Sequence, residues 1–191
     1  MVLVAGIAAS VLIQTMNSLE EQAMRTGLDT MREVSSGLKV TQISGYVSGS
    51  KITQMAIFVT PIAASEYIDL GSTYISLSDS NTKVILNYTS AVFSSTVSSG
   101  LFTTLNAASL TSSTYGVLVI RDNDGSCTSS NPVINSGDTV ALIVNASKCF
   151  SGGIDIRTQV FGSVNPEYGI SGFIKFTTPH AFPTAIIELQ N

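Results

Sequence analysis

The sequence predicts an α+β chain: one long N-terminal helix, then an antiparallel β-sandwich or barrel domain of immunoglobulin-like type. Three observations predict it. Met1 to Ile13, MVLVAGIAASVLI, is apolar on every side except Ser10. From Gln14 the large apolar residues thin to stripes at spacings of three and four, which is a helical period. From Lys51 onward the period changes to short alternating runs rich in β-branched residues, separated by turns, with no helical pattern among them.

A helix with no wet face must be surrounded by lipid or by other protein. Beyond Ile13, Leu12, Met16, Leu19 and Ala23 form one stripe and Met24, Leu28, Met31 and Leu38 another. Glu20, Glu21, Arg25, Asp29, Arg32, Glu33 and Lys39 supply a thinly charged outer face. Run from Met1 to Ile43, such a helix would be on the order of 65 Å long, more than one domain of this size can bury. The pattern points to an assembly whose self-association core is Leu3, Val4, Ile7, Val11, Leu12, Ile13, Met16, Leu19, Met24, Leu28 and Met31. Each of the large apolar side chains between Met1 and Ile13 is worth roughly 1.5 to 3 kcal/mol when fully buried, against about 0.2 to 1 kcal/mol for an exposed ion pair. Ala5, Gly6, Ala8, Ala9 and Ser10 would let neighbouring helices approach closely.

The apolar stretch lacks the basic flank and cleavage region of a signal peptide. It is also shorter than the roughly 20 residues a membrane span needs. Either it is part of a longer apolar segment, or it does not span a bilayer permanently. Gly45 and Ser48-Gly49-Ser50 are expected to end the helix and form a hinge. That divides the chain into a helix over 1–47 and a β-domain over 48–191.

Within the second part, Lys51 to Pro61 alternates with a period of two. Thr73 to Ser78 and Lys83 to Thr89 flank the turn Asp79-Ser80-Asn81 and predict a hairpin. Thr89 to Thr114 is more than half Ser and Thr and is expected to be mostly loop, with one or two short strands. Tyr115–Arg121, Thr139–Asn145, Ile154–Phe161 and Phe173–Thr177 are the strongest strands, and Ala185–Leu189 is a closing one.

Only 12% of residues are charged, against about 25% in an average soluble domain. Much of the surface is therefore uncharged or buried between subunits. A net charge of −4 without a basic run excludes nucleic acid as a partner. Catalysis has nothing to rest on: His180 is the lone histidine, set among prolines and aromatics, and no acid pair or nucleophile motif is visible. The chain is not expected to be an enzyme or to require a cofactor.

Cys127 and Cys149 have no CxxC spacing and suit a disulfide better than zinc, with two free thiols as the other reading. Asn87-Tyr-Thr and Asn145-Ala-Ser are glycosylation sequons, suited to an N-linked glycan on an outward-facing protein. Asp122, Asn123, Asp124 and Gly125 resemble the start of a loop for calcium or another divalent ion, and equally an ordinary Asp-Gly turn.

Four phrases carry a family resemblance: MVLVAGIAASVLIQT, VSSGLKVTQISGYV, AIFVTPIAASEYIDLGSTYISLSD and NPEYGISGFIKFTTPHAF. In this order, over nearly the whole chain, they resemble the archaellins, the archaeal flagellins. The resemblance implies an extracellular subunit of the archaellum, the rotating swimming filament. A type IV pilin-like helix would lie in its core and a glycosylated β-sandwich would form its sheath. It implies helical polymerisation with itself and with related archaellins, a membrane motor and assembly platform as partners, and a stay in the membrane before assembly. It also implies a class III signal peptide in precursors, and further apolar residues ahead of the opening phrase in mature relatives. An adhesive pilin-like subunit and a membrane-tethered binding module are the alternative readings.

Overall fold

The computed structural model describes residues 2–63, 65 and 67–190. Met1 and the Val2 side chain, both in the expected apolar segment, lie outside this description. Helix α1 runs over Val2–Ser35. Eleven strands follow: β1 Leu38–Ser48, β2 Lys51–Pro61, β3 Ile68–Asp69, β4 Tyr74–Ser78, β5 Lys83–Ser94, β6 Thr114–Arg121, β7 Val133–Ile134, β8 Thr139–Val144, β9 Gln159–Asn165, β10 Gly172–Thr177 and β11 Ile186–Gln190. A 3₁₀ turn, Ala107–Ser109, precedes β6, and a single helical turn, α2 (Ala146–Cys149), follows β8.

Nine strands make one curled sheet in the order β10-β9-β4-β5-β6-β8-β2-β1-β11, and β3 pairs with β7 beside it. All of these pairings are antiparallel except β5 with β6. The ends of the sheet curl toward each other into a near-barrel. The Gln190 side chain of β11 accepts from Lys175 N at 2.8 Å and donates to Phe173 O at 3.2 Å, occupying the free edge of β10. Residues alternating inward from every side, among them Ile43, Ile57, Leu77, Leu86, Val117, Leu142, Val164 and Ile174, fill the interior. The Tyr115 hydroxyl lies deep in this core, 2.7 Å from Leu70 O and 3.0 Å from Thr73 O, and ties the 70–73 loop to β6.

The helix ends twelve residues earlier than the 1–47 boundary expects, and residues 38–48 are the first strand. Ser35 and Ser36 return their hydroxyls to the carbonyls of Met31 and Arg32, and Gly37 follows, so helix-stabilising residues run out here. Leu38, placed on a helical stripe by spacing, and Ile43, expected as the end of the helix, are buried in the barrel because β1 pairs with β2 from Leu38↔Pro61 to Ser48↔Lys51. The expected hinge at Ser48–Ser50 is the two-residue turn of that hairpin, with Gly49 at φ 69.

Two further boundaries move. The strand expected over Ile154–Phe161 begins at Gln159, because Ile154 is bridged by backbone bonds to Ile52 and Arg157 turns the chain at φ 55. The strand expected to end at Thr89 continues to Ser94. The segment after it folds back over the outside of the sheet, where Phe102, Leu105, Ala107 and Leu110 pack on Ala56, Val92, Leu118, Ala141 and Ile143.

Candidate assembly surface and loop sites

Helix α1 leaves the barrel entirely. Every residue from Leu3 to Ser35 is exposed, including Leu3, Val4, Ile7, Val11, Leu12, Ile13, Met16, Leu19, Met24, Leu28 and Met31, the complete expected association set. Val34 belongs with them, an addition that the three-and-four stripes passed over. The helix is long and apolar enough to cross a membrane. Its threonine hydroxyls are already satisfied: Thr15 donates to Val11 O, Thr26 to Gln22 O at 2.9 Å and Thr30 to Thr26 O at 2.7 Å. Internally paired hydroxyls can enter an apolar surrounding without losing a hydrogen bond.

The base of α1 is fixed to the barrel by main-chain bonds. Ser36 O accepts from Ile170 N at 3.0 Å, Leu38 N donates to Ile170 O at 2.9 Å, and Ile62 N donates to Gly37 O at 2.9 Å. Ser65 Oγ accepts from Gly37 N at 3.0 Å. Glycine is required at this crossing: a Cβ on Gly37 would lie 2.7 Å from Ile170 O, and Gly169 holds φ 89 against Ser36. These joint residues were invisible to periodicity, because each acts through the backbone. Around the joint, Leu28, Met31, Arg32, Tyr67 and Tyr168 line an open groove of about 450 Å³.

The acidic loop is assembled differently from its expected form. Carboxylate oxygens of Asp122, Asp124 and Asp138 lie within 4.8 Å of one another, so Asp138 takes the place expected for Asn123. Asn123 instead accepts from Arg121 Nε at 3.4 Å. Asp138, 1% exposed, accepts from Asn123 N at 3.3 Å and Asn135 N at 2.9 Å. Asp122 accepts from Asp124 N, Gly125 N and Cys127 N. Hydrogen bonds from the Ser126 hydroxyl and amide hold Asp124 below the ordinary carboxylate range. Among the described residues the one ion pair is Lys51 with Asp155, so none of these three charges is met by a Lys or Arg. Three oxygen donors with one of them buried fit a hard cation. The signal for Asp138 was present as the Ser136-Gly137-Asp138 turn before a strong strand.

The expected disulfide is not formed in the structure: Cys127 and Cys149 are free and buried in the same core. Burial pushes the Cys149 thiol up to about 11, and burial together with the Asp122 and Asp138 carboxylates pushes Cys127 up to about 12.

The two sequons part company as well. Asn87 is exposed on β5. Asn145 is buried: its amide donates to Ala107 O at 2.8 Å while its oxygen accepts from Lys148 N at 3.2 Å and caps α2. Burial leaves that nitrogen no open path to a glycan in the folded chain. His180 is exposed between Pro179 and Phe182.

A family model described as archaeal-type flagellin matches residues 1–176. The chain belongs to the archaeal-type flagellins. Flagellin B2 of Methanocaldococcus jannaschii is 42% identical over all of this chain and 89% of its own length. Flagellin B1 of Methanococcus voltae is 40% identical over the same shares. The crystal structure of flagellin FlaB1 from Methanocaldococcus jannaschii superposes with a TM-score of 0.74 at 36% identity, covering 82% of this chain and 98% of that one. A subunit of the archaeal flagellum of Methanospirillum hungatei shares the fold, with a TM-score of 0.66 at 16% identity over 97% and 92% of the two chains. As an archaeal-type flagellin, the chain is a structural subunit of the filament with which archaea swim, and it lies at the cell surface.

Proposed function

We propose that α1 packs with the helices of other copies as the inner layer of the filament, while residues 38–190 form the outer layer. The observation that carries this reading is a helix exposed from Leu3 to Ser35 whose large side chains are apolar, joined to a closed β-domain by backbone bonds. Before assembly the same helix would rest in the membrane, and an assembly platform and motor there would receive it. Asn87 is the sequon open to an N-linked glycan. Asp122, Asp124 and Asp138 would hold a divalent cation, a reading supported by the burial of the Asp138 carboxylate, which two backbone amides hold and no Lys or Arg meets among the described residues.

The test of the assembly reading is deletion of residues 1–35. The remainder should sediment as a folded monomer, and filaments seen by electron microscopy should vanish from cells that make only this form. Filaments built from the truncated chain would defeat the reading. For the loop, calcium should raise the thermal midpoint of the full chain, and Asp138→Asn should abolish that rise. An unchanged midpoint would reject the cation.

A further inference from the structure

The outside of the barrel is unevenly covered. Over β6, β8, β2 and β1, the crossover between β5 and β6 buries the outward side chains as a second apolar layer. Over β10, β9, β4 and β5 no element among the described residues lies on the corresponding face, although its composition is not that of a solvated one. Register places Lys175, Phe161, Ser78 and Lys83 in one cross-strand row and Phe173, Ser163, Ser76 and Ile85 in the next. Phe173 is 73% exposed, Phe161 is 44% exposed, and Ile85 is likewise exposed. None of these outward positions is Asp or Glu, so the two lysines have no acid beside them on the face. The Lys175 ammonium lies 5.8 Å from the centre of the Phe161 ring instead.

The opposite chemistry sits around the base of α1. There Asp69 and Glu167 share a small cleft with Tyr67, Tyr168 and Val133, and neither acid has a basic partner among the described residues. This collar adjoins the surface of α1. We propose that the outward face of β9 and β10 docks the acidic, tyrosine-bearing collar of a second copy of this chain; the proposal rests on the filament reading above. Lysines over aromatic and aliphatic side chains on one copy would meet acids beside exposed tyrosines on the next. Because the two surfaces differ, the contact is heterologous, the class of interface from which an open helical polymer is built when the rotation between copies does not close a ring. Continuity with α1 selects a second copy as the occupant over an unrelated partner: subunits whose helices lie side by side carry their collars at the level of neighbouring domains.

Full-length chains carrying two different C-terminal peptide tags would be co-expressed so that filaments contain both, and treated with a zero-length carbodiimide. The expected product is a cross-linked pair bearing both tags, joined from Lys175 or Lys83 of one copy to Glu167 or Asp69 of the other. Lys175→Glu should lower the yield of sheared filaments roughly tenfold, and adding Glu167→Lys should restore it. Equal labelling of the Lys175 amine in filaments and in detergent-dispersed chains would overturn the proposal while leaving the filament reading intact. Protection of Lys175 that depends on a glycan at Asn87, without a cross-link between copies, would overturn it in favour of a sugar cover. Recovery of the chain from membranes alone, with none in filaments, would sink the filament reading and this contact together.

Discussion

Replacing Ile7 and Val11 together by Ala tests what holds the subunits together, because it removes apolar surface without harming the helix. Ala is the best helix former, so α1 itself should be slightly favoured by the change. The loss comes from assembly. At about 0.8 kcal/mol per buried carbon, Ile→Ala forfeits about 2.4 and Val→Ala about 1.6 kcal/mol on full burial. In the single chain Ile7 is 64% exposed and Val11 57% exposed, and only that fraction remains for a neighbour to cover. The scaled sum is about 2 to 3 kcal/mol per subunit, or roughly 30- to 100-fold in the concentration needed to polymerise. Glu21→Gln, by contrast, removes an exposed charge worth under about 1 kcal/mol. The assay compares chain in sheared filaments with chain left in membranes, by immunoblot of both fractions. Full filament yield from the double variant, with a loss from Glu21→Gln, would show that polar contacts and not apolar burial drive assembly.

Tyr115→Phe leaves the carbonyls of Leu70 and Thr73 without their hydroxyl donor, and urea unfolding should show a loss of about 1 to 3 kcal/mol. Asn145→Ala should cost about 0.5 to 2 kcal/mol through the lost cap and the orphaned Ala107 carbonyl, whereas Asn87→Gln should leave the unfolding midpoint unchanged and remove any glycan mass. The buried thiols make stability fall in alkali. Unfolded thiols ionise near 9.0 but the folded ones only at about 11 and about 12, so their contribution is complete below 9.0 and is lost as pH climbs through the folded values. Denaturation midpoints at neutral pH and near pH 10 measure this, and slow alkylation of both cysteines in the native chain at neutral pH should accompany it.

The parts of the fold that were legible from sequence are those in which side chains report their surroundings. Lys51–Pro61 alternates because one side of β2 faces the core, and its observed limits coincide with the alternating run. The large apolar residues between Leu3 and Met31 keep a helical period, and the packing proposed for α1 would account for their exposure in a single chain. What was missed lies where the backbone does the work. Leu38-Lys39-Val40-Thr41-Gln42-Ile43 keeps a spacing that suits either a helix or a strand, and only pairing with β2 decides between them. Gly37 and Gly169 matter through close approach to Ile170 and Ser36, contacts that lie more than a hundred residues apart along the chain. Asp138 joins Asp122 and Asp124 only because β6 and β8 are neighbours, and the spacing of Cys127 and Cys149 carries no sign that both side chains are part of the core.

The position of the joint bears on what a swimming filament must do. A Gly-Ser hinge near residue 49 would have let each β-domain swing freely on its helix, so that rotation of the core would be dissipated between layers. The chain has no such link. The last helical turn passes within two residues into a strand bound along its whole length to β2, and the crossing is fastened on one side to Ile170 and on the other to Ile62 and Ser65. Four hydrogen bonds at a glycine crossing restrict rotation about φ and ψ at the joint. A face on β9 and β10 that engages the collar of the next copy would then couple neighbouring barrels at the same level at which each barrel is coupled to its own helix. Under that reading, stiffness would arise twice, from apolar packing of the helices within and from domain contacts without, with the short bonded joint linking the two layers.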